Sequence, residues 1–119
     1  LKAATPGPYT FILQATAEVP RRLLQQKRKT IGLRVPENAI ARALLDELNE
    51  PLMSVTLIMP NDSDPLIDPY EIRALLEHEV DLIIDGGFCG LEMTTVIDLA
   101  DETPSLVRQG KGDIAPFGL

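Results

Sequence analysis

Short apolar runs bounded by proline, glycine, asparagine or aspartate dominate this chain, and their lengths limit what it can fold into. They are rich in β-branched residues, and none approaches the roughly 18 to 20 residues that a membrane-spanning helix needs. We therefore predict β-strands and no membrane association. The predicted strands cover residues 9–15, 30–36, 52–59, 80–85, 94–99 and 104–109.

Two segments between these runs follow the helical period instead. Residues 37–50 carry an apolar stripe formed by Ile40, Leu44, Leu45 and Leu48, and Asn49 with Pro51 predicts its end. The second helix begins with Asp68 as N-cap, Pro69 in the first turn and Glu71 as capping-box acid. Its apolar face is predicted to comprise Ile72, Leu75, Leu76 and Val80.

The element order predicts an α/β fold, a two-layer domain with a mixed β-sheet. Two strands are followed by a helix, a strand, a second helix and three strands. Most strands are apolar on both sides, and two helices are few to cover them. We therefore expect residues 1–119 to form a single domain, part of which lies outside the chain.

Charge is distributed unevenly along the chain. The net charge of −7 argues against broad binding of nucleic acid or acidic membranes. One stretch without acids nevertheless offers a place for an anion, although a solvated basic loop is an equal alternative. It holds six of the eleven basic residues, namely Arg21, Arg22, Lys27, Arg28, Lys29 and Arg34.

The usual signatures of metal and nucleotide sites are absent from the sequence. The acidic loop around Asp62 and Asp64 lacks the glycine and terminal glutamate of an EF-hand, so we predict no metal site. The glycines of residues 85–90 precede a predicted strand and not a helix, which excludes a Rossmann loop. The single cysteine, Cys89, rules out an internal disulfide and is compatible with the cytoplasm, our predicted location.

Hydroxyl side chains and arginines recur at the ends of the predicted strands. Both donate hydrogen bonds to carboxylate or phosphate oxygens, and arginine can do so with two parallel bonds. Because threonine is common in strands of every kind, the pattern alone leaves an incidental origin open. The residues concerned are Thr30, Arg34, Ser54, Thr56, Thr94, Thr95 and Arg108.

Six stretches taken in order resemble the YrdC/YciO family of threonylcarbamoyl-AMP synthase-like proteins, with YciO-type proteins as the subgroup. They are "TPGPYTFIL", "KTIGLRVPENAIARALL", "PLMSVTLIMP", "VDLIIDGG", "TTVIDL" and "LVRQGKGDI". The resemblance implies a YrdC-like fold, in which a twisted mixed sheet and helices surround a positive cleft. It also implies that the N-terminal third of the domain is missing from residues 1–119.

The resemblance further implies substrates and site residues. The related synthases condense L-threonine, bicarbonate and ATP, with Mg²⁺, and release pyrophosphate; their product serves tRNA modification at adenosine 37. Matched position by position, Thr30, Thr56 and Arg108 would bind the nucleotide. Likewise, Arg34, Ser54 and Thr94 would bind threonine. Catalytic residues are not identified by these matches.

One departure from the family pattern affects the expected activity. Ile58 stands where the family has an asparagine, and losing an amide donor to a charged phosphate costs about 1.5–3 kcal/mol. Three functions therefore remain open. The first is a weak or altered nucleotidyltransferase, and the second a protein that binds double-stranded RNA, tRNA or the ribosome. The third is a scaffold that has lost its ligand. For RNA, the expected contacts are Arg21, Arg22, Lys27, Arg28 and Lys29.

Overall fold

The computed structural model describes residues 4–25, 27–90 and 92–119, which fall into two compact units. The first unit comprises Leu1–Arg42 and Met93–Leu119, and the second comprises Ala43–Glu92. The first contains a four-stranded sheet in the order β2-β1-β3-β4. The strands are β1 (Tyr9–Gln14), β2 (Thr30–Leu33), β3 (Thr95–Asp98) and β4 (Ser105–Arg108).

The sheet is mixed, as the sequence predicts. β1 pairs antiparallel with β2 and parallel with β3, and β3 pairs antiparallel with β4. The parallel pair joins segments far apart in sequence, through register partners such as Phe11 with Ile97. Together with the two helices, this arrangement confirms the α/β class. It also confirms the four predicted strands that begin near residues 9, 30, 94 and 104.

One face of the sheet carries a small aromatic core. Tyr9, Phe11 and Ile97 are buried, and Phe117 packs against them from a 3₁₀ turn, Ala115–Phe117. The ring centroids of Tyr9 and Phe11 lie 5.6 Å apart, and those of Phe11 and Phe117 lie 5.7 Å apart. Aromatic pairs at such distances contribute about 0.5–1.5 kcal/mol beyond area burial. This core fixes β1 and β3, the two central strands.

Both predicted helices are present, and the structure confirms the predicted end of the first and the predicted beginning of the second. The first, α1 (Ala39–Leu48), is capped by Asn38, whose Oδ1 accepts hydrogen bonds from the backbone of Ile40 and Ala41 at 3.0 Å. It stops at Asn49, which has a left-handed φ of 53°. The second, α2 (Pro69–Leu76), begins after Asp68, whose side chain accepts from the Tyr70 backbone at 2.9 Å. No helix in the described parts of the chain is long and apolar enough to cross a membrane.

The apolar stripes of these helices are less buried than predicted. On α1, Ile40, Leu44 and Leu48 each keep between 39% and 46% of their surface exposed. On α2, Leu75 is 55% exposed, and the predicted last member of its face, Val80, lies beyond the helix and is 43% exposed. Burial of the stripes is therefore partial in this chain, although the helical period was predicted correctly.

Two of the six predicted strands are wrong. Residues 52–59 and 80–85 form no strand in the structure, because no ladder joins either segment to another among the described residues. The Ile58 N–H instead donates to the Thr56 carbonyl at 3.0 Å, and the Leu57 carbonyl accepts from Leu66 at 2.9 Å. A strand requires a regular series of hydrogen bonds with a neighbour, which β propensity alone does not supply.

Candidate anion-binding site on the polar face of the sheet

The face of the sheet opposite the aromatic core, hereafter the polar face, carries several polar side chains beside Val96 and Ile12. In the parallel pair, Tyr9 and Phe11 align with Thr95 and Ile97, so the residues between them point to the other side. That side carries Thr10 on β1 and Arg108 on β4, the latter paired with Val96. Thr94, just before β3, joins them through hydrogen bonds. Three polar side chains from three neighbouring chain segments thus meet on one surface.

Arg108 is fastened to Thr94. Its Nε and Nη2 atoms donate to the Thr94 carbonyl oxygen at 3.1 and 2.9 Å, and Nη2 also donates to the Thr94 hydroxyl at 3.1 Å. This two-pronged arrangement fixes the plane of the guanidinium group. The sequence predicted Arg108 and Thr94 as contacts of two different substrates, and the structure brings the two side chains together.

Sequence reasoning missed Thr10. Its hydroxyl lies 2.7 Å from the Thr94 hydroxyl, so the two side chains share a hydrogen bond. Thr10 is the second residue of the first predicted strand, and neither the pattern of hydroxyls at strand ends nor the family matches included it. The available signal was the alternation of "YTFIL", which places Thr10 opposite to the aromatic side chains of the same strand.

The positive charge of Arg108 is not neutralised by a carboxylate within the described residues. The ion pairs found there involve Arg28, Arg73 and His78. Arg108 is half-buried, so its charge is less screened by water than that of a fully exposed arginine. A half-buried, unpaired guanidinium beside two hydroxyl groups is an environment that favours an anionic ligand.

Thr95 has a structural role. Its hydroxyl is fully buried, donates to the Gly112 carbonyl at 2.8 Å and accepts from the Gly110 N–H at 2.9 Å. The Lys111 N–H donates to the Met93 carbonyl at 2.9 Å. A Cβ atom at Gly110 would collide with the Met93 carbonyl oxygen, so this close approach requires glycine. These contacts hold the segment 109–112, which follows Arg108 in sequence, against the beginning of β3.

The other predicted site residues lie in different surroundings. Thr30 begins β2 and is only 3% exposed, and Arg34 follows the end of β2 and is exposed. Ser54 and Thr56 belong to the second unit, where both are exposed in a segment without regular structure. Ile58, the departure from the family pattern, is 37% exposed. The structure thus gathers Thr94 and Arg108, with Thr10 as an unpredicted third member.

The predicted RNA-contacting residues form an exposed basic loop, in which one of them, Arg28, is ion-paired. Arg28 Nη1 lies 2.5 Å from Oδ2 of the buried Asp98, and Arg28 Nη2 lies 3.5 Å from Asp101. The hydrogen bond from Arg28, followed by that from the Ala100 backbone, lowers the pKa of Asp98 below its ordinary value. Arg28 is therefore occupied by carboxylates. The other four are exposed and form no ion pair among the described residues, namely Arg21, Arg22, Lys27 and Lys29.

Other features of the described residues do not suggest a different site. They contain no group of three or more His, Cys, Asp or Glu side chains arranged to hold a metal ion. A hollow of about 330 Å³ lies beside Tyr9 and Phe117, with Glu37 and several prolines in its wall. The carboxylate of Glu37 disfavours an anion there, so the cluster of Thr10, Thr94 and Arg108 is the better candidate.

Comparison with known proteins identifies the family. The family model for Sua5, YciO and YrdC proteins, described as "Telomere recombination", matches residues 1–110. The uncharacterized protein YciO of Escherichia coli strain K12 is 59% identical over 117 residues, which are 98% of this chain and 57% of that protein. The chain belongs to the Sua5/YciO/YrdC family. It spans little more than half the length of these relatives.

More distant relatives include named enzymes. A threonylcarbamoyl-AMP synthase of Halorhodospira halophila is 31% identical over 97 residues, covering 82% of this chain and 50% of the enzyme. Among solved structures, P. abyssi Sua5 complexed with L-threonine superposes with a TM-score of 0.79 at 28% identity. That match covers 92% of this chain and 32% of the other. The crystal structure of E. coli YciO superposes with a TM-score of 0.91, covering 98% and 56%.

Proposed function

We propose that this protein binds L-threonine and ATP and catalyses a reaction of the threonylcarbamoyl-AMP synthase type. The observation that carries the proposal is the contact between Thr94 and Arg108 on the polar face of the sheet. It is supported by the 31% identity to a threonylcarbamoyl-AMP synthase and by the likeness to P. abyssi Sua5 complexed with L-threonine. In this proposal, Thr94 and Arg34 contact threonine, while Arg108 contacts the nucleotide.

The adjacency of Thr94 and Arg108 suits such a condensation. The amine of L-threonine would take up bicarbonate with loss of water, and an oxygen of the resulting carbamate would attack the α-phosphorus of ATP. The bond from that phosphorus to the bridging oxygen breaks, and pyrophosphate leaves with the electron pair. Amino acid and nucleotide must therefore meet at one point. Arg108 at 3.1 Å from the Thr94 hydroxyl would stabilise charge at that meeting point.

The family resemblance adds further expected contacts and an expected metal ion. Ser54 as a threonine contact, and Thr30 and Thr56 as nucleotide contacts, stay predictions from the family resemblance, and Mg²⁺ would accompany ATP, held mainly by phosphates and water. Because Ile58 replaces the family asparagine, we expect ATP binding to be weaker than in the synthases. The product would serve tRNA modification in the cytoplasm. Cys89, which is a free thiol, is compatible with that compartment.

The test is pyrophosphate release from ATP with Mg²⁺, L-threonine and bicarbonate. We expect release to depend on all three substrates and to fall at least about tenfold in Thr94→Val, since a hydrogen bond to a charged group is lost. Thr16→Val, at an exposed turn of the same unit, is the matched control. Background release with every amino acid, or equal rates in both variants, would refute the proposed activity.

A second candidate function is binding of double-stranded RNA or tRNA by the basic loop. It is favoured by the exposure of Arg21, Arg22, Lys27 and Lys29, whose charges are free to contact phosphates. The net charge of −7 opposes it, so any such binding should be confined to this loop and weaken steeply with salt.

Charge reversal in the loop separates RNA binding from the enzymatic proposal. Replacing Arg21 and Arg22 by glutamate should abolish binding to a short RNA duplex. Arg28→Gln is the matched control, because Arg28 is already paired with Asp98 and should contribute little. RNA binding that is independent of salt, or equally affected by the control, would contradict an RNA-binding role for this loop.

A further inference from the structure

We propose that Thr10 is a ligand-binding residue, and that its hydroxyl donates a hydrogen bond to a carboxylate or phosphate oxygen of the substrates. This proposal rests on the proposed function for the identity of those substrates. In the cluster, Thr94 Oγ1 lies 3.1 Å from Arg108 Nη2 and 2.7 Å from Thr10 Oγ1. The Thr94 hydroxyl therefore connects the guanidinium group to Thr10.

The cluster has one hydroxyl hydrogen left to donate to a ligand. Each hydroxyl has one hydrogen to donate and two lone pairs, whereas a guanidinium group only donates. Arg108 therefore supplies the hydrogen of its bond to Thr94, and the bond between the hydroxyls uses one of their two hydrogens. One hydroxyl hydrogen remains in either orientation. It is available to an oxygen acceptor, so the cluster is suited to an anionic ligand.

The direction of the bonds favours Thr10 as the residue that presents this hydrogen. Hydrogen bonds that run head to tail polarise one another, and a charged donor at the start strengthens the chain. In the order Arg108 to Thr94 to Thr10, the last hydroxyl is the one that donates outward. The Cγ2 atom of Thr10 faces Gly32 on β2, 3.5 Å from where a Cβ would stand. This leaves Oγ1 on the side of Thr94.

The experiment compares Thr10→Val, Thr10→Ser and Thr16→Val with the parent protein. Isothermal titration calorimetry would measure the binding of L-threonine, of ATP with Mg²⁺ and of inorganic pyrophosphate. We expect Thr10→Val to weaken at least one of these ligands by about tenfold, as for a lost hydrogen bond to a charged group. Thr10→Ser, which keeps the hydroxyl, should bind within about twofold of the parent, and so should Thr16→Val. Urea unfolding of each variant would check that the fold persists.

The outcomes separate the two proposals. If L-threonine is the affected ligand, the hydroxyl contacts its carboxylate; if ATP or pyrophosphate is affected, it contacts a phosphate. Parent-like binding of all ligands by Thr10→Val, or equal losses in Thr10→Val and Thr10→Ser, would overturn the role of Thr10 and leave the proposed function standing. If the parent protein binds pyrophosphate through Thr10 but releases none from ATP, the role of Thr10 stands and the proposed function is overturned. Absence of any binding to the parent would overturn both.

Discussion

Replacing Thr95 by valine tests whether one buried hydroxyl holds the segment 109–112 in place. Valine has nearly the same shape, so the substitution removes two hydrogen bonds without opening a large cavity. The Gly112 carbonyl loses its 2.8 Å donor in a buried position, which costs about 1–3 kcal/mol. The Gly110 N–H loses its 2.9 Å acceptor but is partly accessible to water, so it adds about 0.5–1.5 kcal/mol. We expect a total loss of about 2–4 kcal/mol in the free energy of unfolding.

Urea denaturation measures this loss. With a slope of about 1.5 kcal/mol per M, the midpoint of unfolding should fall by about 1–3 M. Thr95→Ser keeps the hydroxyl and removes one methyl group, so it should lose only about 1 kcal/mol. Thr16→Val, at an exposed position, should change stability by less than about 0.5 kcal/mol. A midpoint for Thr95→Val equal to that of Thr16→Val would refute the structural role assigned to Thr95.

Substitutions at Asp98, Arg108 and Ile58 test the site and its surroundings. Since the pKa of Asp98 is lowered in the folded protein, its stabilising contribution is present above the unfolded pKa of about 3.9 and is lost as the pH falls below it. In Asp98→Asn, stability measured by circular dichroism should therefore fall less steeply at acid pH than in the parent. An equally steep fall would contradict this role of Asp98. Arg108→Lys keeps the positive charge but loses the planar guanidinium group, so substrate affinity measured by calorimetry should fall at least about tenfold. Parent-like affinity would contradict a role for the guanidinium geometry. Ile58→Asn should strengthen ATP binding by about 10- to 100-fold if the segment around Ile58 is a weakened nucleotide site, whereas unchanged affinity would remove that explanation.

Local signals predicted the helices well because each is specified by neighbouring residues. Asp68 and Pro69 determine the beginning of α2, and the left-handed Asn49 follows the end of α1. Strands depend on partners elsewhere in the chain. "LMSVTLIM" has the composition of a strand, but residues 52–59 find no ladder among the described residues, so composition alone was misleading there.

The candidate site shows the same limit at the level of a single side chain. Strict alternation along β4 would place Arg108 on the same face as Leu106, which pairs with Ile97 of the aromatic core. A register shift between Val96 and Ile97 instead pairs Arg108 with Val96, so the extra residue, Val107, turns the arginine towards the polar face. The family resemblance selected Arg108, but no periodicity in the sequence predicts this irregularity. The contact between Arg108 and Thr94, on which the proposed function depends, is therefore a consequence of sheet register and not of sequence spacing.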